Sequence, residues 1–582
     1  MTGRRFSFVV SLTISLALLI SACGGDATPT PTQAPVPTAA PAPAATPRPA
    51  ATPAPAATPR PAAAAAPAAT PAPTATPLPG KYGGVIEYWN RTDPPGFDLH
   101  RWGSHTPFFA NPVFSTLVRF DPAKREFVPD NIIADLAASW EVSRDGLTYT
   151  FFLQEGVTWH DGQPFTAADV VYTFEKMTDS ERSVIASRFP AFDRAEAVGS
   201  NTVKIHLNSP QASLLSMLAQ GYAVIQAEHL ADIDPKTPEF MVGTGPFMLK
   251  EYVSGVSYTY EKNPNYFKKG LPYLDGIILH VIRDRPAQMA AFVAGRIDMT
   301  SPTLGMPTKS IYDDHVSKAP NGNFQILSHP LVRMLWFNLN GDNPWNDVKV
   351  RRAMNLVLER EQITLAAVGD LGWGRIAGLM PPESPYALPQ DELAKLLMWD
   401  KPYEERVAEA KRLMAEAGYA DGFEMRLLAR NLSIYKRILT QVSDLLQQHL
   451  SIKTTIDLPE TARAMELRSA RDYDMYLEVM YSNIFDPDEI MSYWVTGGSE
   501  NWTGYSNPKI DELFTKQSEA GTMAQRTEFT HEIERILAKD SPALSTFFLQ
   551  YGIGVYPQVK NYVPANTVYS VHLQMEQVWL ER

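Results

Sequence analysis

From Lys81 to Arg582 the sequence runs for 502 residues with no second proline-rich break, longer than one hydrophobic core can serve. Cores stop growing at roughly 300 residues, so this stretch must divide into at least two lobes. A different polymer precedes it. Thr28 to Pro79 is almost wholly Ala, Pro and Thr, and holds 17 of the chain's 48 prolines, with Arg48 and Arg60 its only charges. Such a run cannot bury a core, and its prolines favour extended polyproline geometry. At ~3.1 Å per residue its reach is on the order of 150 Å.

Ahead of that tract, Arg4 and Arg5 lead into an apolar stretch of fifteen residues, Phe6 to Ile20, closed by Ser21-Ala22-Cys23. The stretch is short for a bilayer span, and its flanks read as a secretory signal. Cys23 is the only cysteine, so disulfide frameworks, thiolate zinc sites and cysteine redox motifs are excluded together. The closing tetrapeptide Ile20-Ser21-Ala22-Cys23 resembles the lipobox of bacterial lipoproteins, which implies lipidation at Cys23. The expected order is a signal peptide with lipobox at 1–23, a tether at 24–80 and a globular region at 81–582. Several acyl chains on one residue give stable attachment where a single chain does not.

The globular region carries 48 Lys+Arg against 63 Asp+Glu, an excess of 15 negative charges. That balance repels phosphate backbones and anionic lipid, so nucleic acid is not an expected partner. Strands and helices interleave. Leu147, Tyr149, Phe151 and Leu153 alternate after an Asp145-Gly146 turn, and Val203, Ile205 and Leu207 alternate likewise. Val407, Ala410, Leu413, Met414 and Ala417 form one apolar helix face ending at Gly418, and Val348 to Ile363 reads as another helix. The class is α/β.

Enzyme motifs fail one by one. His531-Glu532 begins like a zinc-protease helix, but Arg535 occupies the second histidine position. Gly243-Thr244-Gly245-Pro246 begins like a dinucleotide loop, but Met248 replaces its third glycine. No phosphate-binding loop and no nucleophile turn follow. His160, between Trp159 and Asp161, reads as a satisfied histidine in a packed turn. No cofactor and no metal site are expected.

A series of blocks does stand out. Ala137-Ala138-Ser139-Trp140-Glu141-Val142-Ser143, Gly156-Val157-Thr158-Trp159-His160-Asp161-Gly162 and Pro164-Phe165-Thr166-Ala167-Ala168-Asp169-Val170 come first. Then follow Val242 to Pro246, Asn263-Pro264-Asn265-Tyr266-Phe267, Pro272 to Gly276, Ala294-Gly295-Arg296-Ile297-Asp298, Val350 to Asn355, Glu416 to Tyr419, Asp486-Pro487-Asp488 and Gly504 to Pro508. Together, from about Tyr82 to the end, they resemble the family 5 extracellular solute-binding proteins of ABC importers, the peptide and nickel type. Most of the blocks read as fold punctuation, with Trp159 packed and Arg351 and Arg352 seeking tertiary partners.

The resemblance implies a two-lobed periplasmic-binding-protein-like fold, of class II and the large cluster C type, with an extra domain and a two-strand hinge. Lobe I is expected at roughly 81–114, 242–335 and 557–582, the extra domain at 115–241 and lobe II at 336–556. Leu331 to Asn340 and Ala543 to Tyr556 are the expected hinge-proximal strands. It also implies a binding protein rather than an enzyme. Its partners would be an oligopeptide or other small oligomer, an ABC permease with its ATPase subunits, and the membrane through the lipid anchor. A monomer at the outer face of the cell membrane is expected.

In peptide-binding relatives an aspartate three residues before the acidic-Pro pair clamps the ligand's ammonium. That position is Asn483 here, which keeps an acceptor oxygen and loses the charge. The departure keeps a neutral cargo, an oligosaccharide or a capped peptide, beside the free peptide. Met480, Tyr481, Asp486 and Ser301 are carried over as cleft candidates. Trp373, in the glycine-bounded loop Leu371-Gly372-Trp373-Gly374, reads as an exposed aromatic, with Trp494, Trp102 and Phe108 as further aromatic candidates. Two other readings stay beside the importer: a tethered extracellular hydrolase, and a family member serving as a sensor or peptide-binding chaperone.

Overall fold

The computed structural model describes residues 78–102, 106–302, 305–566 and 574–582. The expected signal peptide, Cys23 and nearly all of the tether lie outside the described residues.

The expected hairpin is present. Ala137–Val142 and Thr148–Leu153 pair antiparallel around a turn in which Gly146 takes φ +70°. The Asp145 side chain accepts from the backbone N–H of Leu147 at 3.1 Å and locks that turn. Tyr149, Phe151 and Leu153 point into a core shared with Val203, Ile205 and Leu207. The strands Thr202–Leu207 and Phe192–Ala197 complete this four-stranded antiparallel sheet. Trp159 is buried in the same core, as a packed aromatic.

A second sheet of four strands has the spatial order Val85–Asn90, Gly276–Val281, Ser257–Lys262, Phe247–Val253. Val85–Asn90 and Gly276–Val281 run parallel and the others antiparallel. The Gly243-Thr244-Gly245 block leads into it as a close approach, since a Cβ on Gly243 would stand 2.0 Å from the Val113 carbonyl oxygen. His160 is satisfied there, sharing one ring nitrogen with the Gly245 carbonyl at 3.0 Å and the other with the Gly243 N–H at 3.3 Å. Burial pushes its imidazole down to about 4.

The third sheet has six strands, in the order Gly374–Arg375, Ala543–Val555, Asn323–Phe337, Met475–Tyr481, Glu424–Ala429, Lys453–Asp457. The last three run parallel, which requires crossovers, and the helix Ser433–Leu450 supplies one of them. Its Ile438, Leu439, Val442, Leu445 and Leu446 are all buried, at the spacing of one helix face.

Asn323–Phe337 and Ala543–Val555 form one long antiparallel ribbon, from Asn323 opposite Val555 to Trp336 opposite Ala543. The first strand begins earlier than the expected Leu331, because pairing with the far half of its partner extends it. Its pairing is irregular between Ser328 and Met334. Bridges from Met299 to Val555 and from Met306 to Gly552 tie the outer half of the ribbon to the segment after Arg296-Ile297-Asp298.

The expected helix from Val348 to Ile363 is two helices, Val348–Val357 and Arg360–Val368. The break at Leu358–Glu359 is held by Arg360, whose guanidinium donates to the carbonyls of Ser545 at 2.9 Å and Leu358 at 3.4 Å. Arg351 finds the tertiary partners expected of it, donating to the carbonyls of Asp540, Trp345 and Asn346 at 2.8–2.9 Å. Tyr403–Glu416 buries Ala410, Leu413 and Met414 and stops before Gly418 at φ +84°.

Candidate functional site

The strand Met475–Tyr481 leaves the six-stranded sheet and enters a loop that closes on the short helix Pro487–Met491. Asp486 caps that helix, accepting from the Asp488 N–H at 3.0 Å, and Pro487 at its first position is preset for the turn. The same Asp486 carboxylate takes a two-pronged pair from Arg526, at 2.9 and 2.7 Å, with both side chains buried. Beside it, burial raises the Asp488 carboxyl above its ordinary value, against the pull of Arg526.

Glu489 turns back over the loop. Its carboxylate accepts from the backbone N–H groups of Asn483 at 2.7 Å and Ile484 at 3.1 Å, and from the Asn483 side-chain amide at 2.6 Å. It also pairs with Arg188, whose guanidinium lies 5.5 Å from the Tyr222 ring centroid. Asn483 is therefore buried at a joint between the loop and the segment just before the strand Phe192–Ala197. The side-chain amide explains asparagine here. It donates to Glu489, where an aspartate would set a second carboxylate against the first.

Tyr481, one step back, is 38% exposed, while Met480 is buried opposite Val332. Near Tyr481 lies a polar cluster that the sequence reading missed. Glu478, buried, pairs with Arg430 at 2.8 Å and accepts from the Tyr476 hydroxyl at 2.9 Å and the Tyr435 hydroxyl. Burial and the Glu478 charge raise the Tyr481 phenol above its ordinary value, with Arg430 and Arg333 pulling it down. Arg333 itself interrupts the buried run Leu331 to Phe337. A lone cation in such a strand was the available signal.

The other candidates fall elsewhere. Trp494 is fully buried and stacks on Trp336 with ring centroids 5.2 Å apart. Trp373 is buried rather than exposed. The Asp370 side chain accepts from Gly372 N–H at 2.8 Å, which folds the loop inward so that the indole meets Tyr312 at 5.2 Å and Leu371 takes the solvent side. Ser301 is buried beside Thr300, which accepts Gly554 N–H at 3.1 Å on the outer half of the ribbon. Phe108 lies in the core that includes Phe109 and Tyr258. Trp102 is half-buried with its ring over Gly96, where a Cβ would meet it at 2.1 Å. Met480, Tyr481, Asn483 and Asp486 thus share one strand and loop, Ser301 and Trp373 adjoin the ribbon strand Ala543–Val555, and Trp102 and Phe108 form a separate group. Among the described residues no cluster of His, Asp and Glu is placed to hold a metal ion.

Di/tripeptide-binding protein 1 of Pseudomonas aeruginosa is 26% identical over 501 residues, covering 80% of this chain and 89% of that protein. Heme-binding protein A of Haemophilus influenzae is 26% identical over 487 residues, covering 78% and 84%. The fold matches the ABC transporter-associated periplasmic binding protein DppA of Helicobacter pylori in complex with the peptide STSA. There the TM-score is 0.70 at 22% identity, over 86% of this chain and 99% of that one. The likeness shows the two-lobed α/β fold of periplasmic binding proteins. Residues 131–502 match the description "Bacterial extracellular solute-binding proteins, family 5 Middle", and the chain belongs to that family.

Proposed function

We propose that this chain is the substrate-binding component of an ABC importer, holding a short peptide between its lobes and delivering it to a permease. The family match across residues 131–502 carries the reading. The paired ribbon Asn323–Phe337 and Ala543–Val555 supports it as the hinge between lobes. The proposed lobes are roughly 81–114, 242–335 and 557–582 for the first and 336–556 for the second, with roughly 115–241 as the extra domain. Tyr481, Asn483, Met480, Asp486, Ser301 and Trp373 are the cleft residues proposed first, with Trp494, Trp102 and Phe108 behind them. The chain acts as a monomer and catalyses no reaction.

Calorimetry with di-, tri- and tetrapeptides, beside native mass spectrometry of the freshly purified protein, tests this directly. Saturable peptide binding without turnover is expected, with a smaller radius of gyration when loaded. Hydrolysis of the peptide defeats the reading in favour of an enzyme. Retention of an oligosaccharide with no peptide affinity selects the second cargo. Cys23 is proposed as the lipid-bearing residue that holds the chain outside the cytoplasmic membrane. Cys23→Ala is expected to release it into the soluble fraction, and unchanged membrane association would refute the anchor.

A further inference from the structure

Two residues of the strand Asn323–Phe337, His329 and Arg333, keep buried polar atoms without a hydrogen-bond partner among the described residues, and Arg333 is the one with a fixed charge. The residue is 7% exposed, and among the described residues its Nε and Nη1 have no hydrogen-bond partner. Its guanidinium carbon lies 5.9 Å from the Phe547 ring centroid, an aromatic face and not a counter-ion. The nearby carboxylate, Glu478, is already engaged by Arg430, Tyr435 and Tyr476. Among the described residues no ion pair reaches Arg333. A buried cation without a partner is costly to keep, so its retention calls for an anion from outside the chain.

Its position supplies the route. Arg333 pairs opposite Val479, two residues from Tyr481, a residue 38% exposed. It also lies at the edge of the irregular stretch of the ribbon, between Ser328 and Met334, where the expected lobes join. A guanidinium with unanswered N–H donors suits a carboxylate, which accepts a charge-assisted hydrogen bond from it.

We infer that Arg333 is an anion subsite at the base of the cleft, taking a carboxylate of the cargo, with Tyr481 at its entrance. The inference rests on the importer reading and deepens it: the cargo is an acid, and in a peptide the group held is the terminal carboxylate.

The test titrates trialanine, trialanine amide and succinate into the purified full chain, into Arg333→Met and into Arg333→Lys, by calorimetry. Trialanine should bind at least about tenfold tighter than its amide, since the amide cannot form the charge-assisted pair. That preference should vanish in Arg333→Met and survive in part in Arg333→Lys. Equal affinity for acid and amide in the unmodified chain overturns the subsite and leaves the peptide reading intact. If neither trialanine form binds, the peptide reading falls alone, and succinate decides the subsite. Succinate binding lost in Arg333→Met supports it, and succinate binding absent or indifferent to the substitution overturns it. The thermal midpoint of ligand-free protein gives a second readout. Arg333→Met should raise it by removing an unpaired buried charge, and a fall would mean that the guanidinium serves the fold.

Discussion

Two buried guanidinium groups lie in the part of the chain that holds the proposed site, and they are in opposite conditions. Arg526 meets both oxygens of Asp486, adds Gln517 at 3.2 Å and has Asp488 at 3.7 Å. Arg333, on the ribbon, meets an aromatic ring and no carboxylate. The loop around Asp486 is complete without a ligand, and its groups fix the backbone that carries Asn483 and Tyr481. The ribbon around Arg333 is incomplete, which is the condition expected of a surface that finishes its bonding with cargo. Substitutions in the two regions should therefore move stability in opposite directions.

The largest effect belongs to the complete region. Asp486→Asn keeps an acceptor for the Asp488 N–H and removes the charge that answers Arg526. Breaking one side of a buried pair costs about 3–5 kcal/mol, so denaturant unfolding should show a loss of that order. A loss under about 1 kcal/mol would show that Asp488 takes over, and would erase the contrast with Arg333.

Glu534 sharpens the comparison through pH. This carboxyl is buried with no ion pair among the described residues, accepting from the N–H groups of Leu388 at 2.6 Å and Met380 at 3.3 Å. Burial pushes it up from 4.5 to about 7 despite those donors. A folded value above the unfolded one means its contribution is whole below pH 4.5 and is lost as pH rises through 7. At 1.36 kcal/mol per unit the loss is about 3 kcal/mol. Glu534→Gln cannot ionise, so its stability relative to the parent should climb between pH 5 and pH 8. A flat difference over that range would mean that the carboxyl is charged and answered.

Asn483→Asp should cost less, on the order of 1–3 kcal/mol, by exchanging a donated hydrogen bond for repulsion at Glu489. Its sign separates a structural from a ligand-facing Asn483. Lower stability with unchanged peptide affinity places the residue with the completed loop, and tighter peptide binding restores it as a clamp position.

Much of the fold was legible because its periodicities are local. The alternation from Leu147 to Leu153, the Asp145-Gly146 turn and the face ending at Gly418 each depend on near neighbours. What escaped depends on distant ones. Arg360 ends the helix after Val357 by reaching the Ser545 carbonyl, and no local pattern marks that break. Trp373 looked exposed from its glycines, yet Tyr312, from a separate helix, covers it. At the site, Asn483 and Asp486 stood out in sequence, but Glu489 and Arg188, which define what Asn483 does, are joined only by folding. Arg333 was readable as a cation inside an apolar strand, and its missing partner was not.

The smallest effect belongs to the incomplete ribbon, at His329. Its imidazole is buried against Tyr551, ring centroids 4.5 Å apart, and among the described residues neither ring nitrogen has a hydrogen-bond partner. Burial, with the Arg333 charge beside it, pushes it down from 6.5 to about 3. A histidine depressed in the fold contributes stability that is present above pH 6.5 and lost as pH falls toward 3. His329→Phe keeps the stacked ring and removes both unanswered nitrogens, whose burial costs about 1–3 kcal/mol on mutational scales. Strain from the larger ring offsets part of that gain, but it does so equally at every pH. The readout is therefore the difference between pH 8 and pH 5: the thermal midpoint of His329→Phe, relative to the parent, should be higher at pH 5. An identical difference at both values would mean that the imidazole stays charged or finds a partner, making this part of the ribbon as complete as the loop around Asp486.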